Sequence, residues 1–221
     1  FIIDMKNTVI TLIASLLAAG STMAVGISVA NHSFEDPVTA TWAEDPASWT
    51  EVGVTHAFVE NAGDIGVSGA DAFNWAGIDG TGGAETIGAQ VFTGVIVQDL
   101  LVPWAPNSTY TLNILQGRRT GHDDGSLTLG LYSGTLGIDD AVVGSDTWDD
   151  LDIVLDGSET RSVSFSTGAV APSGNVQLYI GKAGNKAYFD SVTVDVVPVP
   201  EPSSTALIGL AGLGMLLRRR R

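Results

Sequence analysis

An all-β fold, with two antiparallel sheets packed as a jelly-roll-type sandwich, is what the sequence predicts for its central 25–197 segment. Three observations carry that expectation. Apolar residues almost never recur at helical spacing. Short runs of β-branched and aromatic residues instead alternate with polar ones at a period of two. In Thr109–Gln116, for example, Tyr110, Leu112 and Ile114 share one face while Thr109, Thr111 and Asn113 share the other. Clusters of Gly, Asn, Asp and Pro separate the runs at the spacing of sandwich turns. No repeat of fixed period is visible, which disfavours a solenoid or propeller.

Taken in order, the chain begins with a targeting segment. Lys6 supplies a positive end, Val9–Gly20 an apolar stretch, and Ser21-Thr22-Met23-Ala24 the small residues of a cleavage site. That layout predicts a signal peptide over 5–24, helical before removal. The first strand is expected at Ile27–Glu35, followed by a tryptophan-bearing segment over 42–54, then Ala57–Glu60 and Ala72–Ala76. Glu85–Leu101 is long and apolar enough for two strand pieces. Thr109–Gln116 and the Leu127, Leu129, Leu131 run alternate cleanly. Later strands are expected at Leu151–Leu155, Arg161–Ser166, Val176–Ile180 and Ala187–Val196.

The last 24 residues, 198–221, are of a different kind. Pro198, Pro200 and Pro202 break any helix or central strand. An apolar run to Leu217 follows, and four arginines, Arg218–Arg221, close the sequence. An apolar helix ended by arginines enters a bilayer with its basic end on the cytoplasmic side. The 13 residues of Thr205–Leu217 would span about 20 Å as a helix, short of the roughly 30 Å hydrocarbon core, so transient insertion is expected rather than a lasting anchor. Val199-Pro200-Glu201-Pro202 ahead of such a run closely resembles the PEP-CTERM sorting signal of Gram-negative bacteria. The resemblance implies export through the inner membrane and processing by an exosortase, with Pro200, Glu201 and Pro202 as the processing region. The product would end at the cell surface or in the extracellular matrix.

Charge and cysteine content bound the partners. The central segment carries five basic residues against twenty-three acidic ones, a net charge of −18. Nucleic acid is excluded as a partner, because phosphate binding needs clustered Lys and Arg. There is no cysteine, so disulfides do not contribute to stability outside the cell. The acids serve solubility, or a subset of them binds calcium, a hard cation that takes oxygen ligands.

Both ends of the central segment carry a second resemblance. Asn31-His32-Ser33-Phe34-Glu35 is similar to the opening segment of galactose-binding-like, carbohydrate-binding-module-type sandwiches, and Tyr188-Phe189-Asp190-Ser191-Val192 to their closing strand. That resemblance implies a structural calcium where the first and last strands meet, with Glu35 and Asp190 as carboxylate ligands. It also implies binding of polysaccharide, with exposed aromatic rings as platforms.

Of the five tryptophans, Trp49 reads as core. Trp75, beside Asn74 and ahead of a glycine-rich loop, is expected to be exposed, with Trp148 in its acidic segment as the next choice. Arg118, half of the one adjacent basic pair in the segment, completes the expected ligand site. A catalytic centre has little support. His122-Asp123-Asp124-Gly125 is a good turn sequence. No Gly-x-Ser-x-Gly elbow is present, and the glycine loop after Asp79 lacks the dinucleotide pattern. The expectation is a surface protein that is not an enzyme and that binds polysaccharide or serves as matrix. The alternative is a calcium-dependent cyclase or glycoside-active enzyme on the same scaffold.

Overall fold

The computed structural model describes residues 23–199 apart from 40, 54, 71–73, 80–84, 88, 122–124 and 136–139. The signal segment through residue 22, the His122–Asp124 turn, and Pro200, Glu201 and Pro202 with the apolar run behind them lie outside the described residues. No helix among the described residues is long and apolar enough to cross a membrane.

Two antiparallel sheets form the sandwich, as expected. One contains β1 (Val25–Ile27), β2 (Trp42–Glu44), β4 (His56–Asn61), β5 (Asn74–Asp79), β9 (Ser108–Gly117), β12 (Ser158–Ser166) and β14 (Ala187–Pro198). Its order is β12-β9-β14-β5-β4-β2, with β1 pairing to β14. The other contains β3 (Thr50–Val52), β8 (Gly94–Pro103), β10 (Gly125–Ser133), β11 (Ala141–Asp149) and β13 (Asn175–Gly184), in the order β11-β10-β13-β8-β3. A two-stranded hairpin, β6 (Glu85–Ile87) with β7 (Gln90–Phe92), one helical turn, α1 (Ala62–Ile65), and a 3₁₀ turn, Asp150–Asp152, complete the elements described.

The core sits between the sheets and is made by the alternation that the sequence displays. Tyr110, Leu112 and Ile114 of β9 face Leu127, Leu129 and Leu131 of β10 within one buried cluster. The opposite side of β9 is polar. Its Thr109 and Thr111 hydroxyls pair at 2.8 Å with Ser166 and Ser164 on β12. The two long edge strands, β11 and β12, are turned against each other, and the Phe165 ring occupies the space left by Gly144. The other two edge strands, β2 and β3, are only three residues long, which limits templated association.

Two expected strands differ, and one strand was not expected. Ile27–Glu35 yields only β1, because the chain turns at Asn31 (φ 46°) and Phe34 (φ 54°). Asn31 suits that left-handed conformation, and its side chain bonds Asp36 N, Asp36 O and Ala47 O at 3.0, 2.6 and 3.0 Å. The buried Gln98 amide replaces the missing strand partner, accepting from Ala30 N at 2.8 Å and donating to Ala30 O at 2.9 Å. Leu151–Leu155 is a 3₁₀ turn and loop instead of a strand. Asp149 caps that turn by accepting from Leu151 N at 3.0 Å, leaving Leu151, Val154 and Leu155 exposed. The unexpected strand is β11, just ahead of that turn, whose sequence AVVGSDTWD lacks alternation at the edge of its sheet.

Candidate functional site

A cleft of about 430 Å³ lies on the outer face of the first sheet and is lined by Trp42, Glu44, His56, Phe58, Glu60, Asp79 and Lys186, with Ala57 at its base. Strand register explains the grouping. Opposed residues of antiparallel strands project to the same side. Trp42 stands opposite Glu60, and Glu44 opposite Phe58. Phe58 in turn stands opposite Gly77, and His56 opposite Asp79. Tyr188 of β14 pairs with Gly77 from the other side. The intervening residues, Ala57, Val59, Ala76 and Ile78, point into the core.

The floor of the cleft is aromatic. Gly77 lets Phe58 lie on the backbone of β5, since a Cβ there would stand 2.3 Å from Phe58 Cζ. The Phe58 ring meets Tyr188 edge-on at 6.1 Å. Both belong to a small buried cluster with Ile65, Val67 and Trp75, covered by α1 and the chain that follows it. Burial pushes the Tyr188 hydroxyl up to about 12, although its bond to Arg119 works in the opposite direction. It is therefore neutral at physiological pH.

Two ion pairs frame this floor. Arg119 Nη1 reaches Glu60 Oε2 at 3.0 Å and donates to the Tyr188 hydroxyl at 2.9 Å. Lys186 Nζ sits 3.1 Å from Asp79 Oδ2 and 5.0 Å from the Phe58 ring centroid. Glu44 and His56, both exposed, make no ion pair with any described residue. Trp42 projects beside them with 55% of its surface exposed. An exposed indole, free hydrogen-bonding groups and a concave floor are the parts of a site for a small polar ligand.

None of the three ligand residues expected from sequence lines this cleft. Trp75 is not an exposed platform. It is 0% exposed, and it is the cross-strand partner of Glu60 beneath the cover of α1. Trp148 is half-buried and packs against the main core from β11. Arg118 donates to the carbonyls of Leu151 and Ile153 at 3.3 and 3.0 Å, so its guanidinium holds the 3₁₀ turn. Trp42, Glu44, His56, Glu60 and Lys186 were missed. The signal for two of them, His56 and Glu60, is the His56-Ala57-Phe58-Val59-Glu60 alternation, read as a face rather than as a core strand.

The two expected calcium ligands lie where the 31–37 turn meets β14 and β5. Val192 N donates to His32 O at 2.9 Å. Phe34 and Phe189, the immediate neighbours of Glu35 and Asp190, meet edge-on at 5.2 Å. Glu35 Oε1 accepts from Asn74 N at 2.9 Å, and Asp190 Oδ1 from Ser191 N at 2.7 Å. Asn74 is wholly buried and donates to Phe34 O and Pro37 O at 3.3 and 3.4 Å, while its Oδ1 has no hydrogen-bond partner among the described residues. A buried acceptor left without a donor is costly. Every donor atom here is oxygen, the set that calcium takes. Among the described residues no cluster of three or more acidic, histidine or cysteine groups forms a metal site by itself, so carbonyl and amide oxygens would have to complete the shell.

Comparison with known proteins bears on both ends of the problem. Residues 198–221 match the PEP-CTERM protein-sorting motif. That motif marks the chain for export and exosortase-mediated sorting to the cell surface or beyond. No curated protein matches the sequence.

Among solved structures, a Stig cyclase from Fischerella sp. TAU in complex with a pyrrolidinylidene-indole superposes with a TM-score of 0.64 at 20% identity, covering 80% of this chain and 100% of that one. An apo cyclase from Fischerella sp. gives 0.63 at 18% identity over 80% and 98% of the two chains. The CBM22-1 xylan-binding domain of Paenibacillus barcinonensis Xyn10C gives 0.47 at 12% identity over 82% and 100%. At these identities the likeness concerns the fold. The expectation that the protein is not an enzyme nevertheless does not stand, because proteins with this fold include cyclases.

Proposed function

We propose that this protein is an exported, surface-sorted β-sandwich whose outer-face cleft binds a saccharide, with calcium bracing the loop beside it. The observation that carries the reading is Trp42. It is a large ring left 55% exposed at the rim of a concave site, next to a carboxylate and an imidazole that form no ion pair with the described residues. A sugar ring stacks its apolar face on such an indole, and its hydroxyls bond the polar groups around it. The sorting motif supports placement where polysaccharide is the surrounding polymer. In this account the apolar run inserts transiently and an exosortase processes the chain near Pro200, Glu201 and Pro202.

Calcium at Glu35, Asp190 and Asn74 Oδ1 would tie the 31–37 turn to β5 and β14. It would act as a brace made by residues that do not line the cleft, separate from binding chemistry.

Catalysis at the same cleft is a second reading, favoured by His56 standing opposite Asp79 with Glu44 unpaired among the described residues. Such groups can move protons. One experiment addresses both readings. The exported protein is incubated with soluble and insoluble glucans, xylan and amino-sugar polymers, and both retention and released products are measured. Retention lost in Trp42→Ala supports the saccharide cleft, and products lost in His56→Ala would add catalysis. Wild-type protein that is neither retained nor active contradicts both.

A further inference from the structure

The cleft already contains one ammonium seat made by the chain itself. Lys186 Nζ is shared between the Phe58 ring, 5.0 Å away, and Asp79 Oδ2 at 3.1 Å. A ring face and a carboxylate together favour a cation more than either does separately. The same two chemical types recur on β2. The exposed Trp42 indole and the Glu44 carboxylate are two residues apart on one strand, and so on one face. Here no described residue supplies the cation. The carboxylate of Glu60 is committed to Arg119 and that of Asp79 to Lys186, which leaves Glu44 as the uncompensated charge. The surrounding segment, with five basic and twenty-three acidic residues, adds a field of the same sign.

From this arrangement we infer that the cleft recognises a saccharide bearing free amines, an N-deacetylated amino-sugar oligomer, in preference to its acetylated or uronic-acid counterparts. The inference rests on the saccharide reading above. Trp42 takes the apolar face of the sugar ring, and Glu44 takes the ammonium beside it. Acetylation removes that charge and adds bulk at the same nitrogen. A uronic acid sets its carboxylate against Glu44 in an acidic field, which is a repulsive element and not merely a missing attraction.

Calorimetric titration of the exported protein at physiological ionic strength tests this with matched oligomers of glucosamine, N-acetylglucosamine, glucuronate and a neutral glucan. The wild type should bind the free-amine oligomer about five- to tenfold more tightly than the acetylated one. Glu44→Gln should bring the two affinities together, and Trp42→Ala should weaken both. Equal affinities in the wild type, or a preference that survives Glu44→Gln as a general polycation effect would, overturn the inference while leaving the saccharide reading in place. Absence of binding to every oligomer, the neutral glucan included, removes the saccharide reading and this inference with it.

Discussion

The Phe58 ring rests on the backbone of Gly77, in the space where a side chain on the neighbouring strand would otherwise stand. This one relationship shapes the cleft. It lowers the floor between β4 and β5, brings Phe58 edge-on to Tyr188, and leaves the Phe58 face available to Lys186.

Gly77→Ala should therefore lift Phe58 from the floor. A Cβ placed 2.3 Å from its ring demands a shift of ring or strand, at a cost of about 1–3 kcal/mol. Thermal unfolding should show the loss, and ligand binding should fall further than the stability change alone accounts for, because Lys186 loses its ring. Unchanged stability would mean that the sheet relaxes freely at this point.

Trp75 and Trp42 should respond in opposite ways to truncation. Trp75 is wholly buried, so Trp75→Ala should cost about 3–5 kcal/mol, read as a large drop in melting temperature. Trp42→Ala removes an exposed ring and should leave that temperature nearly unchanged. A stable Trp75→Ala protein would contradict the buried placement.

The loop latch at Asp156 gives a dependence on pH. Asp156 accepts from Thr120 N at 2.8 Å and from Thr120 Oγ1 at 2.9 and 2.8 Å. The backbone N–H above all, helped by the hydroxyl, holds its carboxyl below the usual range. The stabilisation is thus present above the unfolded carboxylate value of about 3.9 and is lost as pH falls through the lower, folded value. Asp156→Asn tolerates the left-handed φ of 58° while removing the charge. Its melting temperature should lie below that of the wild type at neutral pH, with the gap closing under acid. A constant gap would assign the effect to hydrogen-bond geometry instead of charge.

Chelation should expose the calcium brace. At a hundredfold excess of calcium over Kd, removal should lower the melting temperature by about 5–10 °C. Asp190→Asn should abolish that sensitivity. Identical melting curves with and without chelator would show that Glu35, Asn74 and Asp190 form a purely protein-bonded turn.

Processing of the tail is read by mass. The surface form should lack Arg218–Arg221, and an intact-mass measurement that finds them there contradicts cleavage near the Pro-Glu-Pro segment.

Much of the architecture was legible because period-two alternation survives wherever one face is buried. Thr109–Gln116 and Leu127–Leu131 became β9 and β10, and the core lies on the side that their apolar residues indicate. Alternation fails at edges and turns. β11 clusters its apolar and polar residues without alternation, so it went unseen, while Leu151–Leu155 looked like a strand although Leu151, Val154 and Leu155 belong to an exposed, capped loop. The site was harder to read for a different reason. Trp75 and Trp42 look alike in sequence, and what separates them is the cover that α1 and its following chain place over one and not over the other. That cover is a tertiary fact. Charge pairing is equally non-local: Glu60 meets Arg119 and Asp79 meets Lys186 across strands, so Glu44 stands out only after those partners are known.

The most direct test of the central claim is retention of wild-type and Trp42→Ala protein on immobilised polysaccharide, with melting temperatures measured in parallel. The account predicts that the wild type is retained, and that Trp42→Ala passes through unbound at an unchanged melting temperature. Equal retention of the two proteins would contradict it and move the site away from the β2–β4 cleft.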